Sequence, residues 1–223
     1  MLEKTKKRSR TTHIAVAIMT GGLIGVIGGG ERTKKRPGTI HIVAAAIMSG
    51  LIAVIGYVGE ATLGHVTFGV AVSLWPGQAL FPIAGIWFGV WGILGAYIGN
   101  VIGCLAGNPL HLAFLISIST IFQTLIPAWA FRIFKADPRL KTSRDAWIFV
   151  VFGILVNNFV SMLIGPTVWW AFGVLPWRML LLISMPGWFI SGLIVTPIVA
   201  MPILKGVSAA VMKTRAYCRG WFS

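Results

Sequence analysis

Ionised side chains are what this sequence most conspicuously lacks. Only 11% of its 223 residues are charged, against about a quarter in a soluble domain. No Asp, Glu, Lys or Arg occurs from Ala61 to Phe131, nor from Ala146 to Trp177. Chain of that kind cannot build a water-facing surface but can face lipid, so a soluble fold is excluded. Acids number five in all, and no pair of them is available at membrane depth for a metal or a proton relay. There is no nucleotide-binding P-loop, no HExxH and no GxSxG, and no Ser–His arrangement falls at one depth. These absences argue against an enzyme and against a self-powered pump. Cysteine is scarce too. Cys104 lies in an apolar block and Cys218 in a basic tail, which is neither a disulfide framework nor a metal spacing. No metal and no cofactor is expected.

Positive charge, by contrast, is plentiful and clustered. The formal net charge is +14, which in a soluble protein would suggest nucleic acid. Here the Lys and Arg residues stand outside the apolar blocks, in Lys4 to Arg10, Arg32 to Arg36, Arg132 to Arg144 and Lys205 to Arg219, with Arg178 alone elsewhere. Such clusters beside hydrophobic spans are topology signals and contacts for anionic lipid. The expected partner is the bilayer, not nucleic acid.

Spans follow from length, since crossing a hydrocarbon core takes about 20 apolar residues. Thr39–Val58, Ala79–Leu105, Leu110–Phe131, Ala146–Ile164 and Met179–Leu204 qualify. Ala61–Leu74 is short and ends at the turn signal Trp75-Pro76-Gly77-Gln78. Charge decides its fate. With Arg32–Arg36 cytoplasmic, a crossing by Ala61–Leu74 keeps the five cations of Arg132–Arg144 and Lys205 on the same side, whereas a dip would export the five. The expected fold is an all-α polytopic transmembrane bundle of about six spans in the cell membrane, both termini cytoplasmic. Residues 1–38 form a basic extension, 39–204 the bundle and 205–223 a basic cytoplasmic tail. The extension holds an internal near-duplication: Thr5–Glu31 reappears as Thr33–Glu60, with His13 matching His41 and Gly28 matching Gly56. Basic clusters flank the first copy and glycines weaken it as a helix, so it reads as an extra hydrophobic segment that does not span, a seventh span being the rival.

Several features bear on function. Gly95, Gly99, Gly103 and Gly107 recur every fourth residue, with Gly85/Gly89 and Gly92/Ala96 as further pairs. That spacing puts small residues on one helix face for close packing. Thr39–Val58 carries a similar face in Ala45, Ser49 and Ala53, beside Ala46 and Gly50, suited to packing within the bundle or to docking a partner subunit. Asn100, His111, Gln123, Asn157, Asn158 and Ser161 are polar residues at membrane depth, costly unless they face the interior or a cavity. Ten tryptophans are present. Trp75, Trp147, Trp177 and Trp221 flank span ends, as an interfacial belt does. Trp169, Trp170 and Trp188 could wall a pocket for a planar ligand near the outer face. Ligand-binding candidates are thus Asn100, His111, Gln123, Asn157, Asn158, Trp169, Trp170 and Trp188.

The stretch from Gly69 to Gly107, GVAVSLWPGQALFPIAGIWFGVWGILGAYIGNVIGCLAG, resembles the glycine-rich centre of the substrate-capture (S) components of energy-coupling-factor vitamin transporters. The resemblance implies six spans, an outward-facing pocket for a vitamin-like or other small neutral or aromatic solute, and no ATPase of its own. It implies docking through Ala45, Ser49 and Ala53 onto a shared transmembrane subunit carrying two ATPases. A second resemblance is to the MASE1 membrane sensory domain. It rests on Trp75-Pro76, the Gly95-to-Asn100 segment, Asp137–Asp145 (DPRLKTSRD), Leu175–Trp177 (LPW) and Leu193–Pro197 (LIVTP). It implies a sensor that signals to an output protein, here a separate one because only 19 residues follow Leu204.

Overall fold

The computed structural model describes residues 37–62 and 75–222. The N-terminal copy of the near-duplication and residues 63–74 of the short segment lie outside the described residues. Among the described residues there are no strands and five long apolar helices: α1 (Pro37–Thr62), α2 (Pro76–Cys104), α3 (Leu110–Ile133), α4 (Ser143–Ala171) and α5 (Trp177–Val211). The chain is an all-α polytopic bundle. α1 outruns its expected end and takes Ala61 and Thr62 from the short segment.

α2 is not one span. At Gly89 the backbone takes φ +58° and ψ −130°, a conformation open to glycine because it has no Cβ. There the chain folds back on itself, and Gly92 packs against the Ala84–Gly85 backbone. Residues 76–88 and 90–104 are therefore two legs of a hairpin. The second leg runs beside α1 in the same direction, with Gly95 on Ala45, Gly99 on Ser49 and Gly103 on Gly56. A stack of His41 on Trp91, centroids 6.1 Å apart, sets the two starts level. The first leg begins where the second ends, since Trp75 rests on Gly56 and Gly59. A straight helix would put Trp75 and Gly103 about 42 Å apart at 1.5 Å per residue.

Six legs consequently run between the two ends of the bundle. The fold-back at Gly89 supplies the sixth, and Trp75 stands at the end of the bundle where α1 finishes. The start of α1, the hairpin tip, the loop after α3 and the tail after α5 share one end. Every described Lys and Arg except Arg178 lies there.

The glycine ladder supplies the packing. A Cβ at Gly99 would sit 2.5 Å from the Ser49 carbonyl oxygen, so the close approach depends on its absence. Gly107 falls beyond the helix and is exposed. Ala45, Ser49 and Ala53 are turned inward on this side of α1, with Ser49 and Ala53 buried, so the small-residue face serves the hairpin. Ala46 and Gly50 stay exposed. In the first leg every residue from Leu80 to Phe88 is buried, as in a helix packed on all sides.

Breaking a helix at Gly89 strands backbone groups on both sides of the turn. The tail and Arg132 satisfy them. Cys218 N–H donates to the Trp87 carbonyl at 2.9 Å and Val90 N–H donates to the Trp221 carbonyl at 3.0 Å. Arg132 donates to the carbonyls of Gly85, Ala128, Cys218 and Gly220, and its guanidinium lies 4.9 Å from the Trp221 ring centre. Trp221 is thus part of the fold rather than of an interfacial belt, as is Trp75, while Trp147 and Trp177 are exposed near span ends. The loop between α3 and α4 is self-supporting. Thr142 and Asp145 form a reciprocal cap at the start of α4, and Arg139 pairs with Asp137 at 2.6 Å.

A side chain at position 89 meets both a forbidden backbone region and the Trp221 carbonyl. Gly89→Val is expected to cost at least about 1–3 kcal/mol. Gly50→Ala, which faces open space, is expected to be neutral or stabilising by up to about 1 kcal/mol. Thermal unfolding in detergent checks both; equal stability of the two variants would contradict the hairpin.

Candidate functional site

Prolines and buried amides build the site together. Pro127 has no N–H, so the carbonyl four residues back, on Gln123, loses its helical partner. Asn157 fills the gap: its Nδ2 donates to Gln123 O at 3.3 Å and to Gly153 O at 2.8 Å. Asn158 Nδ2 donates to Ile154 O at 2.7 Å. The Gly153 and Ile154 acceptors belong to a π-helical stretch of α4, Phe149–Val156, a wider coil often found near functional positions. Two adjacent asparagines thus point along α4 without sharing one direction, and Asn158 fits because position 192 is glycine.

The amide orientations follow by elimination. The Ile154 carbonyl can only accept, so the Asn158 NH2 faces it and Asn158 Oδ1 faces outward. That oxygen accepts from Gln123 Nε2 at 3.3 Å. Gln123 Oε1 is left over, buried and without a partner. Asn100 repeats the pattern: Nδ2 donates to Ser117 Oγ at 2.9 Å, and Oδ1 has no partner. Thr120 Oγ1 and Trp75 Nε1 are also buried and unpartnered.

These four residues line one cavity of about 70 Å³. It lies between the open end of the hairpin, α3, and the facing ends of α4 and α5, away from the basic end. Trp169 and Trp188 form part of its wall, edge to face at 5.8 Å. Their N–H groups are committed to Asn108 Oδ1 and Ser161 Oγ, both at 3.0 Å, so their rings, not their donors, address the cavity. Ser191 accepts from the Trp75 backbone N–H and donates to Gln78 Oε1, fixing the mouth of the hairpin to α5. Among the described residues no Asp, Glu, His, Lys or Arg lines the cavity, and a full charge set among these groups would be unpaired and costly.

Of the expected ligand residues, Asn100, Gln123, Trp169 and Trp188 come together here. Asn157 and Asn158 stand behind Gln123 and orient it without lining the space. His111 is exposed at the end of the bundle against Phe172, 5.7 Å between rings, and Trp170 is exposed against Trp177, 5.2 Å; neither reaches the cavity. Trp75, Gln78, Thr120 and Ser191 also line it, though none is among the expected ligand residues. Thr120 had a readable signal, one helical turn before Gln123. Trp75 and Gln78 were masked by their place in a turn motif.

No family model, curated protein or solved structure matches the chain. The chemistry of the cavity therefore rests on its own residues. Its volume is about half of the roughly 150 Å³ that admits benzene in a buried apolar site. As it stands it suits a few waters or a solute of few heavy atoms, and a vitamin-sized molecule would need the Trp169–Trp188 wall to move.

Asn157→Leu is expected to destabilise by about 1–3 kcal/mol, because it orphans the Gln123 carbonyl. In a Pro127→Ala background the backbone N–H gained at position 127 serves that carbonyl, so the same change should cost about 1 kcal/mol less. A double-mutant cycle by denaturant titration in micelles measures the difference; strict additivity would show that Asn157 does not replace the missing N–H.

Proposed function

We propose that this integral membrane protein binds a small, neutral solute rich in hydrogen-bond donors, and that it does so as the capture subunit of an uptake system energised by separate ATPase-bearing partners. It does no covalent chemistry in this reading. The observation that carries it is the convergence of three unpartnered oxygens, Asn100 Oδ1, Thr120 Oγ1 and Gln123 Oε1, at one uncharged, tryptophan-walled cavity. Each buried polar atom without a partner costs about 1–3 kcal/mol, a cost that an occupant bearing N–H or O–H groups removes. Placing the basic end in the cytoplasm, as positive charge favours, puts the cavity in the outer half of the membrane, where a capture subunit needs it. The partner would meet α1 on the exposed side marked by Ala46 and Gly50, since Ala45, Ser49 and Ala53 are occupied by the hairpin.

A sensory reading of the MASE1 kind draws support from a different observation. The first leg of the hairpin has the cavity residues Gln78 and Phe81 near its start and Trp87, bonded to Cys218 of the tail, near its end. An occupant could thereby act on the basic end through one buried helix. Co-purification with ATPases favours capture, and with a kinase or cyclase favours sensing.

Thr120→Val preserves shape while removing a partnerless hydroxyl. Its stability is expected to be unchanged or higher, and together with Gln123→Leu it should reduce the co-purifying small molecule at least about fivefold, as the loss of one buried hydrogen bond implies. Mass spectrometry of extracts from equal amounts of wild type and double variant reads this. An identical small-molecule complement in both would reject the cavity as a binding site.

A further inference from the structure

The larger cavity lies at the opposite end. It measures about 340 Å³ and is lined by Arg132, Lys135, Tyr217 and Arg219, with Ile86 and Phe131 among its apolar lining. Three fixed cations therefore face one space. The acids nearby are already committed. Asp137 is bound by the Arg139 guanidinium, whose hydrogen bond holds its carboxyl below the usual range. Asp145 is engaged by Thr142 and by the Asp137 backbone N–H. Arg132 donates only to neutral backbone carbonyls, so its charge is held in place but not neutralised. Among the described residues no carboxylate pairs with Lys135 or Arg219. Burial raises the Tyr217 phenol above its ordinary range, against the pull of Arg132, so it remains a neutral hydrogen-bond donor.

Lys135 adds an independent observation. α3 ends with Ala136 N–H donating to Phe131 O at 2.9 Å, the six-to-one bond of a helix stop whose preceding residue is ordinarily glycine. Here that residue is Lys135, at φ +49°. A left-handed conformation costs a residue with a Cβ about 1–2 kcal/mol. The strain places an ammonium at the groove, where glycine would have been the more stable choice. Strain kept at a cation-lined cavity points to a use for the cation.

We propose that this groove is a binding site for a phosphate-ester anion, held by Lys135 and Arg219 with Arg132 and Tyr217 behind them. The anion reaches it as the headgroup of an acidic phospholipid in the adjoining leaflet or as a free phosphate compound from the water phase. The site clamps the tail against the end of α3, because Arg219 and Tyr217 belong to the tail while Lys135 belongs to the end of α3. This inference stands apart from the capture reading and shares no residue with that cavity.

The test uses the full chain, with three probes. Phosphatidylglycerol and phosphatidylcholine are compared for retention by native mass spectrometry, and inorganic phosphate is titrated in detergent by thermal shift. The variant is Lys135→Gly with Arg219→Gln; its control, Lys213→Gln with Arg215→Gln, removes two tail charges outside the groove. Lys135→Gly relieves the backbone and Arg219 is exposed, so the double variant is expected to melt no lower than wild type in the absence of probe, and lost binding is then not misfolding. Binding by the double variant should fall roughly twenty-five-fold, from about fivefold per basic side chain, while the control stays within about twofold. Selective retention of phosphatidylglycerol identifies the lipid source, and a phosphate shift without lipid preference identifies the free one. No preference and no shift in wild type, or an equal loss in the control, would overturn the proposal.

Discussion

The architecture depends on one backbone reversal. At Gly89 two helices meet at a single residue in a conformation that a Cβ would forbid, and the chain doubles back inside the bundle. Everything around that point serves to make the reversal tolerable. The carbonyls and N–H groups stranded at the turn would each cost free energy if left dry. The tail supplies a donor and an acceptor, and Arg132 supplies the remaining donors. Away from the turn the second leg is drawn onto α1 by glycines that allow backbone to touch backbone, where attraction comes from close van der Waals contact rather than from the exclusion of water. The tail is thus a structural part of the membrane domain, not an appendage of it.

A second economy of the fold is the use of side-chain amides to repair what prolines remove. Pro127 orphans a carbonyl on Gln123, Asn157 takes it, and Gln123, its Nε2 spent on Asn158, leaves Oε1 at the cavity wall. The unpartnered oxygens of Asn100 and Gln123 are therefore a consequence of how the helices are held together. At the other end the feature is one of charge: Arg132, Lys135 and Arg219 face one space, and among the described residues no carboxylate pairs with Lys135 or Arg219.

How much of this could be read from the residues varies with the kind of signal. Long apolar blocks gave the helices, because burial in lipid leaves no alternative. The clusters of Lys and Arg asked for an even number of passages between α1 and the loop after α3, and the fold-back at Gly89 adds one that the residues did not announce, whereas most of Ala61–Leu74 lies outside the described residues. The turn at Gly89 was hidden because it is covered by the tail, so it needs none of the polar residues that mark an exposed turn. The length of the Ala79–Leu105 block, well beyond one crossing, was the available hint. The glycine spacing spoke correctly of packing but not of the partner. Among the polar residues, Asn100 and Gln123 were recognisable by the cost of burying them, and the same reasoning pointed to His111, which escapes that cost by lying at an exposed end. Asn157 and Asn158 were rightly marked as unusual, yet their partners are carbonyls released by Pro127 and by a π-helical stretch, features that depend on three-dimensional neighbours.

The hairpin can be measured directly. Spin labels on cysteines replacing Pro76 and Ala106, in a chain freed of Cys104 and Cys218, report the separation of the two ends of α2 by pulsed electron resonance. With the chain reversed at Gly89, the ends are neighbours, and the distance between labels should be under roughly 25 Å, an interhelical spacing of about 8–10 Å plus the reach of two labels. A distance near 45 Å, as thirty residues of straight helix would give at about 1.5 Å each, would contradict the fold-back and with it the arrangement of both cavities.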